Sequence, residues 1–160
     1  KVVRLLRAFG ARVLVHDPYV QLAPEDAAAG VELVAFGQLL AESDVVTMHA
    51  RVTAETKHMM NAEAFAAMKP GALFINTARG PLCDYDALLT ALTNGVLGSA
   101  MLETFAVEPV PMDWPLLQLP NVTITPHIAG ASVRTVTFAA EQAAEEVRRY
   151  IAGEPARNLC

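Results

Sequence analysis

Apolar residues occur in this chain in two alternating arrangements: short continuous runs, and stripes that recur every three or four positions. The first arrangement is that of a strand inside a parallel sheet, the second that of a helix with one buried face. Val2, Leu5, Leu6 and Phe9 form the first stripe, and Gly10 is a natural helix stop. Residues 12–17, RVLVHD, read as a strand ending in an acid, with Pro18 halting further pairing. A weak helix over 24–29 and a short strand over 31–34 follow. Phe36, Leu39 and Leu40 share a face of a helix over 36–41, and residues 44–49, DVVTMH, form the next strand. Residues 53–60 read as a turn or short helix, and Asn61 as the N-cap of a helix over 62–68.

The stretch 69–84, KPGALFINTARGPLCD, organises the rest. Lys69-Pro70-Gly71 predicts a turn in which proline presets one backbone angle and glycine supplies a positive φ. The apolar run 72–75 predicts a strand buried on both faces. It ends abruptly in Asn76, Thr77, Arg79, Gly80 and Pro81, and Asp84 opens a helix with Tyr85, Leu88, Leu89 and Leu92 at helical spacing. Asn94-Gly95 closes a turn, and 98–105, GSAMLETF, is a strand with Glu103 near its end. Residues 106–121 carry four prolines and predict a loop, with a helical turn around 114–117. A last strand over 122–125 leads into Pro126-His127-Ile128-Ala129-Gly130, and Ser132 caps a long helix reaching residue 152, with Gly153 as its stop. Strands that alternate with helices and are mostly continuous apolar runs predict an α/β fold with a parallel sheet. The first helix shows no start signal and Lys1 is not an initiator methionine, so the sequence is expected to begin inside an element.

Composition narrows the classes. A hydrophobic content of 53% over 160 residues excludes a disordered chain. The formal net charge is −5 and the basic residues are scattered, which gives no footprint for nucleic acid. No apolar run is long enough to span a membrane, and the opening KVVRLLRAFG has no signal-peptide pattern. Cys83 and Cys160 have neither metal-site spacing nor a disulfide framework, so no metal is expected and the cytoplasm is the default location.

Asp17, Arg79, Glu103 and His127 fall at or just after the carboxyl ends of four different strands, and Glu108 follows in the loop after one of them. In a parallel α/β sheet those ends share the edge where ligands bind. An acid at the position of Asp17 suits the hydroxyls of an adenosine ribose and repels a 2′-phosphate, favouring NAD over NADP; the plainer alternative is an aspartate opening a turn with Pro18. Arginine grips a carboxylate with two parallel donors, a histidine passes a proton to a carbonyl oxygen, and a carboxylate beside a histidine favours its charged form. Arg79, Glu108 and His127 therefore suit the reduction of a 2-keto acid. Singly, each has a structural alternative: a loop salt bridge for Arg79, a solvated acid before Pro109 for Glu108, a loop hydrogen bond for His127. His16, His49 and His58 read as structural or solvated, and Met48, Met59, Met60 and Met68 as core packing.

The segments MKPGALFINTARGPLCDYDAL, MLETFAVEP and NVTITPHIAGAS resemble, in order and spacing, the motifs of the D-isomer-specific 2-hydroxyacid dehydrogenase family, and the similarity covers nearly all of the chain. The resemblance implies the NAD-binding domain of such an enzyme: a Rossmann-type doubly wound parallel sheet, incomplete at the N-terminus, without the glycine-rich turn and the substrate domain. It implies a domain over 1–153, with 154–160 starting the return segment, and a homodimer. By resemblance Arg79 matches the substrate-binding arginine, Glu108 the carboxylate partner, His127 the acid/base and Asp17 the ribose-binding acid. Ala50, Arg51, Thr56, Thr77, Ala78, Ala129 and Gly130 match the loops that touch the cofactor. Three positions depart from the pattern: Glu103 stands where aspartate is usual for the nicotinamide carboxamide, Arg51 where proline is common, and Cys83 where valine is usual. The implied function is NAD-linked interconversion of a 2-keto and a D-2-hydroxy acid. The alternatives are a non-enzymatic NAD-sensing regulator of the corepressor type, and a formate dehydrogenase, against which Glu108 counts because that branch carries an amide there.

Overall fold

The computed structural model describes residues 2–157; Lys1 and residues 158–160, which include Cys160 and the end of the expected return segment, lie outside it. The chain divides into two units, residues 1–124 and residues 125–160.

The first unit carries six parallel strands in two sheets. β1 (Val13–Val15) pairs with β2 (Val31–Leu33), while β3 (Val45–Met48), β4 (Leu73–Asn76), β5 (Ser99–Leu102) and β6 (Val122–Ile124) lie side by side in that order. All pairings are parallel, with Val46 opposite Phe74, Phe74 opposite Ala100 and Leu102 opposite Ile124. Among the described residues no backbone pairing joins the two sheets. Parallel neighbours need crossover connections, and helices supply them: α1 (Val2–Ala8) precedes β1, while α2 (Pro24–Ala28), α3 (Phe36–Glu42), α4 (Ala62–Ala66) and α5 (Tyr85–Thr93) lie between strands.

Local signals explain most boundaries. Asn61 accepts from Ala64 N at 2.9 Å and so starts α4; Asp84 accepts from Asp86 N and Ala87 N, both at 3.1 Å, and starts α5. Gly71 closes the turn before β4 with φ 80°, as its neighbours predict. Residues 54–58 form turns rather than a helix, and Met60 pairs with Cys83 in an isolated parallel bridge. Several expected element bounds are corrected. The strand expected over 12–17 spans only Val13–Val15, and α4 stops at Ala66, not residue 68. The strand expected over 72–75 starts one residue later because Ala72 N donates to Lys69 O inside the turn; Phe74 and Asn76 are buried, while Leu73 and Ile75 on its other face are only half-buried.

Leu40, Met48, Met60, Phe65, Phe74 and Leu88 lie at the centre of the core, which the four-stranded sheet shares with α3, α4 and α5. Burying each such side chain stabilises the fold by about 1.5–3 kcal/mol. Phe65 meets Phe74 edge to face at 5.2 Å. The methionines expected in the core are there: Met48, Met60 and Met68 are buried and Met59 packs against them. The apolar stripe of α1 is different, because Leu5 is 65% exposed and no residue of that helix is buried.

In the second unit, α6 (Val133–Ile151) is capped as expected by Ser132, which accepts from Thr135 N at 3.1 Å. Val133, Val136, Phe138, Tyr150 and Ile151 are exposed on it. Its last turn is tied to the following segment by Arg149, which donates to Pro155 O and pairs with Glu154 at 3.0 Å. Among the described residues no helix is long and apolar enough to cross a membrane.

Candidate functional site

The turn after β4 is built around one buried side chain. Asn76 is fully buried at the end of the strand; its Oδ1 accepts from Ala78 N at 3.1 Å and its Nδ2 donates to Arg79 O at 3.0 Å. The carboxamide thereby closes the turn that carries Arg79. Its own backbone oxygen accepts from Glu103 N at 3.1 Å, so the same residue borders the exit of β5. Arg79 is exposed, donates from Nη1 to Ala78 O at 2.6 Å, and has no carboxylate partner among the described residues.

The short helical turn Gly80–Leu82 follows. A Cβ added to Gly80 would sit 2.0 Å from Phe105 O, so only glycine lets the two backbones approach this closely. Phe105 N in turn donates to Glu108 Oε1 at 2.9 Å. Tyr85 is buried, donates its hydroxyl to Thr104 O at 2.5 Å and meets Trp114 edge to face at 5.3 Å. Burial, with Cys83 and Glu108 as lesser causes, pushes the Tyr85 phenol up, while the nearby Asn76 amide acts in the opposite sense. Burial also pushes the Cys83 thiol up, with Asp84 adding to it, so this cysteine is a packing residue rather than a nucleophile.

An open crevice of about 640 Å³ lies at the carboxyl ends of β3 and β4. Residues from both strand exits line it: His49, Ala50, Arg51 and Val52 from one, Thr77, Ala78, Arg79 and Pro81 from the other. Among the described residues its lining includes two arginines and no acid. Thr56 is not in the wall; its Oγ1 donates to Arg51 O at 2.6 Å and accepts from Thr53 N at 2.8 Å, holding the loop behind it. His49, expected to be structural or solvated, is exposed and stands in the wall, with Nε2 3.2 Å from Thr47 Oγ1. His16 is structural as expected, with Nδ1 3.0 Å from Val34 O and its ring 5.5 Å from Phe36.

Asp17 stands two residues beyond β1, half-buried, and accepts from Tyr19 N at 2.9 Å. The turn with Pro18 is therefore real, and the carboxylate keeps acceptor sites beyond that one bond. Glu103 is buried at the exit of β5, beside Thr104, whose buried Oγ1 has no hydrogen-bond partner. Glu108 is exposed and lies outside the crevice wall. His127, Ala129 and Gly130 follow β6 in the chain and belong to the second unit, in the segment before Ser132.

Sequence reading missed Asn76, Gly80 and Tyr85 as shapers of this site. The legible trace was a polar residue closing an apolar run, followed by an arginine and a glycine. What each atom bonds to is a matter of the fold.

Comparison with known proteins agrees with this fold. Residues 1–129 match the model of the D-isomer specific 2-hydroxyacid dehydrogenase, NAD binding domain. The chain is 40% identical over 158 residues to a glyoxylate reductase of Korarchaeum cryptofilum, covering 99% of this chain and 47% of that one. It is 42% identical over 154 residues to a D-3-phosphoglycerate dehydrogenase of Mycobacterium leprae, covering 96% of this chain and 29% of the relative. The chain thus spans half or less of these relatives' lengths. Among solved structures, a D-isomer specific 2-hydroxyacid dehydrogenase from Xanthobacter autotrophicus in complex with NADPH and MES superposes with a TM-score of 0.87 at 38% identity, over 98% of this chain and 63% of that one. A D-lactate dehydrogenase with NAD+ from Lactobacillus jensenii gives 0.84 at 31% identity, over 99% and 51%. The parallel α/β architecture is that of the Rossmann-type dehydrogenases, and this chain belongs to the D-isomer specific 2-hydroxyacid dehydrogenase family, matching its NAD binding domain.

Proposed function

We propose that this chain is the nucleotide-binding part of an NAD-dependent oxidoreductase that interconverts 2-keto acids and D-2-hydroxy acids. One observation carries the reading: an arginine without a carboxylate partner among the described residues, held by a buried amide at the wall of a crevice at the carboxyl ends of parallel strands. A guanidinium so placed suits the carboxylate of a small acid. The donor set also suits the dinucleotide. Asp17 retains acceptors for a ribose diol, and Glu103 and the unpartnered Thr104 hydroxyl stand buried at the next strand exit. Ala50, Arg51, Thr56, Thr77, Ala78, Ala129 and Gly130 complete the proposed cofactor contacts.

When bound, NADH supplies the reducing equivalent. The chain's own work is to orient and protonate. Arg79 fixes the substrate carboxylate and so the direction in which its carbonyl points. His127, as the family's acid/base, delivers the proton to the carbonyl oxygen. Glu108, as the family's carboxylate, favours the charged form of that acid. A domain over 1–153 with a return segment from 154, assembly as a homodimer and a cytoplasmic setting belong to the same reading and rest on the family resemblance.

The test is turnover of a panel of 2-keto acids by the full-length protein with NADH, beside Arg79→Lys. Lysine keeps the charge and loses the planar fork, so kcat/KM is expected to fall about a hundredfold while NADH binding stays within about twofold. Near-parental kcat/KM would return Arg79 to a surface role. Saturable NADH binding without turnover of any keto acid would favour a nucleotide sensor.

A further inference from the structure

We propose that Asn76 is the positioning residue for Arg79, and that with Tyr85 and Gly80 it holds the arginine's turn at a set spacing from the loop that carries Glu108. The inference rests on the reading of Arg79 as the grip on the substrate carboxylate.

A carboxamide carries a donor and an acceptor one atom apart, and Asn76 spends both on the same turn, on Ala78 N and Arg79 O. Aspartate would keep the acceptor but set an oxygen against the Arg79 carbonyl. Serine would be too short to span both. Because Asn76 is fully buried, water cannot replace either bond, and a lost one leaves a polar group without a partner. The backbone at Arg79 is thus fixed from inside the protein, while its guanidinium remains exposed.

The same residue faces the other loop. Asn76 is the last residue of β4, paired with Leu102 at the end of β5, and its carbonyl takes the Glu103 amide at 3.1 Å. Tyr85 donates its hydroxyl to Thr104 O, tying α5 to the exit of β5. Gly80 lies against the Phe105 carbonyl, and the Phe105 amide is held by the Glu108 carboxylate at 2.9 Å. A continuous set of contacts therefore runs from the Arg79 turn, through Asn76 and the 103–105 backbone, to Glu108. Moving the carboxamide shifts the arginine relative to that loop; it does not unmake the crevice.

The experiment uses the full-length protein with Asn76→Asp, Asn76→Ser and Tyr85→Phe, each alone and combined with Arg79→Lys. It reads kcat and KM for a 2-keto acid, and Kd for NADH by fluorescence. Each Asn76 variant is expected to raise KM about tenfold or more, with NADH Kd within about twofold. Tyr85→Phe, which keeps the ring on Trp114 and removes only the hydroxyl, is expected to raise KM about two- to fivefold. In the Arg79→Lys background these losses should shrink to within about twofold, because both changes act through one guanidinium. Unchanged KM in the Asn76 variants, full additivity with Arg79→Lys, or equal loss of NADH binding would overturn the inference. If Asn76→Asp does not fold, Asn76→Ser and Tyr85→Phe decide by the same criteria. A harmless Arg79→Lys removes the reading of the site and this inference with it; a damaging Arg79→Lys beside additive Asn76 losses removes the inference alone.

Discussion

Glu108 offers a clean test at the scale of the single residue. Its Oε1 accepts from Phe105 N, and the amide oxygen of a glutamine can accept the same bond. Glu108→Gln therefore keeps the loop and removes only the charge. In the proposed mechanism that charge favours the protonated state of the acid, so its loss is expected to move the pH above which keto-acid reduction fades to a lower value. The pH–rate profile of kcat/KM checks this, and an unchanged profile would separate Glu108 from the proton donor. Asn76 shows the complementary lesson: a buried amide has no chemistry to offer a substrate, yet its two bonds decide where an exposed guanidinium begins.

At the scale of the element, α5 carries the most consequence for the site, because it starts six residues after Arg79 and its first residue is Tyr85. Its N-terminus depends on Asp84, whose Oδ1 satisfies two otherwise unpaired amides. Asp84→Ala is expected to cost about 1 kcal/mol, read as a lower midpoint in urea with an unchanged slope. No change would mean that packing alone holds the helix. The β1–β2 pair is held differently. Arg12 bonds Glu32 at 2.7 Å and Glu42 at 2.9 Å, joining the start of β1 to β2 and α3. The Arg12 hydrogen bond holds Glu32 below its usual range; for Glu42 the Gln38 bond is the larger cause, with Arg12 second. Carboxylates depressed in the folded state contribute stability above their unfolded value near pH 4 and lose it as pH falls through the folded one. Arg12→Ala should therefore narrow the stability gap between neutral and acid pH slightly, and less so in high salt, since all three groups are solvated. Denaturation curves at both pH values decide it; a gap unchanged at low salt would show that the pairs contribute nothing.

At the scale of the whole molecule, parallel pairing places strand exits on a common edge. The crevice at the β3 and β4 exits and the buried Glu103 at the β5 exit follow from that arrangement. Asp17 stands at the corresponding end of β1. An acid there disfavours a 2′-phosphate, and NAD is expected to be used at least about tenfold better than NADP by kcat/KM in the full-length protein. One relative binds NADPH and another NAD+ in their solved structures, so the choice belongs to individual residues and not to the fold. Equal or better use of NADPH would take Asp17 out of its assigned role.

The amino-acid sequence by itself determined the alternation of elements, the three side-chain caps Asn61, Asp84 and Ser132, the glycine turn at Gly71 and the chemistry-bearing residues at strand exits. These are local matters: periodicity, one side chain meeting the backbone three residues on, one backbone angle. Strand ends were less legible. Ala72 is as apolar as a strand residue, but its amide closes the Lys69 turn, and residues 12 and 16–17 are held by an ion pair, a ring contact and a turn in place of sheet pairing. Only the tertiary structure decided that the stripe of α1 stays exposed, that His49 stands in the crevice wall, and that Gly80 admits the Phe105 carbonyl. The physical reason is the same in each case. Burial, cavity walls and backbone contacts between residues 25 apart depend on which surfaces meet in space, and no periodicity along the chain encodes that.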